Sequence, residues 1–68
     1  MKKFQERLLD LRKSVNMKQD EMAEELELSY RSYRRYESGE TEPTLSALIR
    51  IADYFKVTLD YLAGRSES

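Results

Sequence analysis

Residues 29–39 read Ser29-Tyr30-Arg31-Ser32-Tyr33-Arg34-Arg35-Tyr36-Glu37-Ser38-Gly39. Wound as a helix at about 100° per residue with Arg31 at zero, they place Arg34 near roughly 300° and Arg35 near roughly 40°, but Tyr33 near roughly 200° and Tyr36 near roughly 140°. Arginines line one side and tyrosines the other. Such a helix docks on its own protein through the aromatic face and holds guanidinium groups out to solvent, which suits an anionic, hydrogen-bonding partner. Nucleic acid is the first candidate.

The flanking sequence supplies helices for that segment to dock on. Phe4, Leu8, Leu11 and Val15 repeat at helical spacing and predict an amphipathic first helix, broken at Asn16-Met17. Gln19 to Leu26 reads as a second, strongly acidic helix with Met22, Ala23 and Leu26 as its apolar stripe and with Asp20 and Glu21 complementing the dipole of its first turn. Only Glu27-Leu28 separates it from Ser29, a good N-cap for the arginine helix, and Ser38-Gly39 ends that helix. Pro43 and Thr44 open a fourth helix, Leu45 to Phe55, with Leu48, Ile49, Ala52 and Phe55 expected on its buried face. Thr58 caps a short fifth helix through Leu62, which Gly64 ends. The expected fold is all-α: one compact five-helix domain over residues 1–64, its second and third helices joined by a tight turn. Residues 65–68 read as a tail or the start of a linker.

Composition narrows the function. A chain of 68 residues holds one small core, hiding only about 60% of the surface its unfolded form exposes. With no cysteine and no histidine it lacks thiolate nucleophiles, zinc-thiolate sites, disulfides and the commonest general base. Asp20, Glu21, Glu24, Glu25 and Glu27 have neither a second ligand set nor a glycine-rich phosphate loop beside them, and read as a solvated helix face. No enzyme and no cofactor are expected. The absence of a long apolar run or signal-peptide core leads to the expectation of a cytoplasmic protein with no membrane partner.

Lys and Arg number 12 and Asp and Glu 13, a net charge of −1, but the charges are segregated. Residues 1–18 carry six basic and two acidic groups, 19–28 five acidic, 29–36 three basic and 37–46 three acidic, while 47–68 balance. Positive charge is therefore concentrated in the first helix with its following turn and in the arginine helix. Weak non-specific affinity and modest salt sensitivity are expected for a polyanion.

The order of elements, with Gln19, Ala23, Leu26, Leu28, Ser29, Tyr36, Glu37, Gly39, Pro43 and the string Ile51-Ala52 to Leu59-Asp60-Tyr61-Leu62, resembles the lambda-repressor-like (Cro and phage repressor) helix-turn-helix family from about Phe4 to Gly64. The resemblance rests on joint spacing, since no single residue is diagnostic. It implies that the helix over 29–36 lies in the major groove of double-stranded DNA, with Ser29, Tyr30, Arg31, Arg34 and Arg35 as base-reading positions, Arg31 and Arg35 foremost. Binding of phosphates or pairing with Glu24, Glu25 or Glu27 is the alternative use of these arginines. Gln19 matches a residue that bonds a phosphate and braces the reading helix. Lys18 replaces the usual Thr or Ser cap and offers a cation to the same phosphate. Ser38 matches a further phosphate contact, which Glu40 opposes.

Glu37 falls near roughly 240° on the same wheel, beside the tyrosine face, so its carboxylate is drawn toward the core and needs a partner. The resemblance points to Arg12; the alternative leaves Arg12 facing solvent or DNA. Tyr33 is larger than the family's usual aliphatic residue, and its hydroxyl is expected at an edge of the core. Glu27 stands where relatives often carry glycine, so the turn is strained or differently shaped.

The resemblance implies a transcriptional regulator, more often a repressor, acting as a homodimer on a two-fold site. Tyr54, Leu59 or Tyr61 would form the dimer surface, and a C-terminal domain or protein partner is a further expectation. Two rivals use the same fold otherwise: an antitoxin or other protein-binding module, and a structural domain whose arginines fold back onto the acidic helix.

Overall fold

A computed structural model describes residues 1–67 as five α-helices. They are α1 (Lys2–Ser14), α2 (Gln19–Glu25), α3 (Tyr30–Ser38), α4 (Leu45–Phe55) and α5 (Leu59–Ala63). Three begin on the hydroxyl caps expected from sequence. Ser29 Oγ accepts from the Ser32 amide at 3.0 Å, Thr44 Oγ1 from Ala47 at 3.1 Å and Thr58 Oγ1 from Tyr61 at 2.9 Å. Each hydroxyl satisfies one of the amides that a helix start leaves without a partner.

Every helix ends through one left-handed residue: Asn16, Glu27, Gly39, Lys56 and Gly64 in chain order. After α2 the Leu28 amide donates to the Ala23 carbonyl at 2.9 Å and the Glu27 amide to Glu24 at 3.1 Å, closing the α2–α3 turn as a Schellman cap. Glu27 sits there at φ 58°. A side chain in that region costs roughly 1–2 kcal/mol, and Arg50 of α4 braces the turn by donating Nη1 to the Glu27 carbonyl at 2.8 Å. Gly39 has a second reason besides its φ of 81°: a Cβ there would lie 2.1 Å from the Gln5 side chain of α1.

The core gathers apolar side chains from all five helices: Phe4, Leu8, Met22, Ala23, Leu26, Tyr33, Tyr36, Ala47, Ile51, Ala52 and Leu62. Phe4 meets Tyr36 edge to face, ring centroids 6.2 Å apart, an arrangement favoured by the ring quadrupoles. The buried face of α4 is rotated from the expected one. Ala47, Ile51 and Ala52 are buried with Leu48 and Phe55 packed beside them, whereas Ile49 is 41% exposed. Apolar residues occupy two sides of this helix, so the spacing that put Ile49 inside fits Ile51 as well, and the neighbouring helices select the side with the small alanines.

Arg7 is the buried cation that the sequence reading passed over. It falls within the Phe4, Leu8, Leu11 stripe and is 8% exposed. Its Nη1 donates to the carbonyls of Tyr61 and, at 2.6 Å, Ser66; its guanidinium lies 4.3 Å from the Tyr61 ring centroid, and Nη2 stands 3.7 Å from the Glu67 carboxylate. Residues 65–67, read from sequence as tail or linker, are thereby tied to α1. A cation against the last-turn carbonyls of α5 is also favourably placed toward the helix dipole.

Replacing Glu27 by glycine should relieve the left-handed strain, offset in part by the greater freedom of glycine in the unfolded chain. Glu27→Gly is expected to raise unfolding free energy by about 1 kcal/mol, measured by urea denaturation, while Gly39→Ala is expected to lower it.

Candidate nucleic-acid interface

The placement of α3 is governed by one carboxylate. Glu37 lies in the last turn of α3 with its side chain 6% exposed. Oε2 accepts from Arg12 Nε at 2.6 Å and from the Tyr33 hydroxyl, and Oε1 accepts from Arg12 Nη2 at 3.1 Å and Gln19 Nε2 at 2.9 Å. Both oxygens are saturated, and the donors come from α1, α2 and α3. Arg12 also donates Nη1 to the Met17 carbonyl at 2.9 Å, linking the α1–α2 turn to the same cluster. Two parallel bonds from one planar guanidinium set orientation as well as distance.

Burial alone would push the Glu37 carboxyl upward, but the bonds from Arg12, Tyr33 and Gln19 prevail and hold it below the ordinary glutamate value. Burial and the bond to Glu37 push the Tyr33 phenol far above its usual value, and the bond to Glu37 raises Arg12. At neutral pH the cluster is a carboxylate, a neutral phenol and a guanidinium.

With Tyr33, Tyr36 and Glu37 turned inward, the opposite side of α3 faces water. Ser29, Tyr30, Arg31 and Arg34 are exposed and Arg35 is half-buried. Among the described residues none of these three arginines forms an ion pair with a carboxylate. Three acidic side chains of α2 are engaged elsewhere: Glu25 accepts from the Tyr54 hydroxyl at 3.3 Å, while Asp20 and Glu21 accept from the amides of Glu21 and Lys18 at the helix start. Arg34 has an aromatic neighbour, its guanidinium carbon 5.5 Å from the Tyr30 ring centroid.

The positions matched to phosphate contacts are placed less uniformly. Lys18 precedes α2 with its side chain exposed and its own amide donating to Glu21 Oε1 at 2.8 Å. A lysine ammonium has no acceptor, so this is half of a capping box. Gln19 points its amide inward to Glu37. The Ser38 hydroxyl lies 3.2 Å from the Arg35 carbonyl and 3.0 Å from Glu40 Oε2, beside a negative charge.

Two helices joined through a tight left-handed turn, the second anchored inside and cationic outside, form a helix-turn-helix DNA-binding domain. Residues 8–62 match the family model described as helix-turn-helix, and the chain belongs to that family, of the lambda-repressor-like type. It is similar to the cryptic phage CTXphi transcriptional repressor RstR of Vibrio cholerae serotype O1, at 46% identity over 93% of this chain and 56% of the relative. The HTH-type transcriptional activator BcrR of Enterococcus faecalis is 36% identical over 94% of this chain and 31% of its own length. A crystal structure of a transcriptional regulator from Listeria innocua superposes with a TM-score of 0.83 at 38% identity, covering 96% of this chain and 61% of that one. The chain thus spans between about a third and six-tenths of these relatives. Among the described residues no helix is long and apolar enough to cross a membrane.

Arg12→Ala would leave Glu37 buried without its cation and is expected to cost about 3–5 kcal/mol, read as a large fall in melting temperature. Tyr33→Phe removes one donor to a charged acceptor and should cost about 1.5–3 kcal/mol. Because Glu37 stays ionised to lower pH in the folded chain than in the unfolded one, its contribution is complete above the ordinary glutamate value of about 4.3 and is lost as pH falls through the lower folded value. The stability gap between wild type and Glu37→Gln should therefore narrow on acidification in urea melts.

Proposed function

We propose that the chain is the sequence-specific, double-stranded DNA-binding part of a transcriptional regulator, most simply a repressor that occupies its operator, with α3 in the major groove. The observation that carries this reading is the outward face of α3, where Arg31, Arg34 and Arg35 stand clear of carboxylates while the inward face is locked to the core. A guanidinium that already held a carboxylate would have to break that pair before reading a base. Arg31 and Arg35 are the principal base readers, each matched to the O6 and N7 acceptors of guanine. Ser29 and Tyr30 border the same face. Lys18 is the phosphate contact, with Gln19 acting chiefly as a brace on Glu37, and contact through Ser38 requires Glu40 to swing aside. The setting is the cytoplasm, where the DNA is.

One α3 contacts too few base pairs to select a single genomic site, so the working form is a homodimer on a two-fold site with half-sites one helical turn, about 34–36 Å, apart. Of the residues considered for the dimer surface, Tyr61 is occupied under Arg7, whereas Leu59 is 41% and Tyr54 38% exposed.

Selection from random duplexes should yield a consensus for wild type at low salt. Arg31→Ala and Arg35→Ala should each abolish preference at particular base pairs, by about 1–3 kcal/mol per contact; equal weakening of all sequences would reassign that arginine to phosphate. Sedimentation should show two copies per symmetric duplex. Leu59→Glu should weaken binding to that duplex while leaving a single half-site unaffected, and one copy per symmetric site would overturn the dimer.

A further inference from the structure

Tyr30 opens α3 and Arg34 follows one turn later, so the two side chains share a side of the helix. The Arg34 guanidinium carbon lies 5.5 Å from the centroid of the Tyr30 ring, within the range at which a cation is held by the ring's electron-rich face. Arg31 and Arg35 have the same spacing of four but no aromatic partner among the described residues. Tyr30 is 50% exposed, so its side chain is open to a ligand. Tyr30 and Arg34 are thus a preassembled pair on the otherwise unbraced reading face.

Building on the DNA-binding reading above, we infer that Tyr30 is a positioning and specificity-determining residue whose ring holds Arg34 toward a guanine and itself covers the 5-methyl group of an adjacent thymine. The chemistry follows from what each group can recognise. A guanidinium fork needs two acceptors side by side, which guanine presents in the major groove as O6 and N7. The phenol ring offers apolar surface, and thymine is the standard base that projects a methyl group into that groove. Bases along a strand are spaced about 3.4 Å apart, so a ring and a guanidinium 5.5 Å apart are close enough together to meet adjacent bases. Holding the arginine on the ring also reduces the freedom lost when it binds. The ligand class is therefore a guanine next to a 5-methylated pyrimidine, 5-methylcytosine included.

The test uses the full chain and the duplex obtained by selection. Deoxyuridine in place of the thymine beside the guanine assigned to Arg34 removes only the methyl group, and should weaken wild-type binding about four-fold, the worth of one buried carbon. Placing 5-methyldeoxycytidine at that position instead of deoxycytidine should strengthen binding comparably. Tyr30→Phe keeps ring and stack and should behave as wild type. Tyr30→Ala should become indifferent to the methyl group and lose the preference for guanine at that step, while keeping the preference assigned to Arg31. It should melt with wild type, since the ring lies outside the core. A consensus with wild-type indifference to uracil, or Tyr30→Ala retaining the guanine preference, overturns the inference alone; no consensus for wild type overturns the DNA-binding reading with it.

Discussion

The orientation of α3 rests on the saturation of the Glu37 carboxylate. It takes two hydrogen bonds on each oxygen, from Arg12 of α1, Gln19 at the start of α2 and Tyr33 one turn earlier in α3. A buried carboxylate with any of these missing keeps its desolvation penalty without full compensation, so the alternatives to this arrangement are costly. Hydrogen bonds are directional where hydrophobic packing is not. Packing of Tyr33, Tyr36, Met22 and Leu26 draws α2 and α3 together, and the carboxylate selects one angle and register among those that packing would tolerate.

That constraint separates the helix into two chemical environments. The inward face is satisfied internally, while the outward arginines hold no carboxylate among the described residues. The net charge of −1 gives little long-range attraction toward a polyanion, and the acidic groups of α2 and the loop after α3 add local repulsion. Binding by such a surface depends on where individual donors stand more than on overall field. A rigid mounting for α3 is correspondingly important, and Arg50 on the Glu27 carbonyl supports its other end.

Much of this was legible along the chain because it follows from local rules. Ser29, Thr44 and Thr58 act as caps through bonds to amides three residues away, and Gly39 and Gly64 take left-handed conformations at helix ends. The inward position of Glu37 follows from helical angle alone. Where two local solutions were equally good, helical spacing pointed to the wrong one. Ile49 and Ile51 lie on different sides of α4, both flanked by apolar neighbours, and only packing of the other helices decided that Ile51 is buried. Arg7 interrupts an apolar stripe, which was a visible signal, but its carbonyl partners lie more than fifty residues away.

The linear order of residues was sufficient to specify five helices, the turn between α2 and α3, and the division of α3 into aromatic and cationic faces. Each of these depends on bonds or angles spanning a few residues. Tertiary structure alone decided that the Gln19 amide turns inward to Glu37, that Ser38 lies against Glu40, that Arg7 grips the C-terminal segment, and that the arginines stay clear of the acidic helix. Those outcomes depend on distances between groups far apart in the chain, which exist only once the helices have packed.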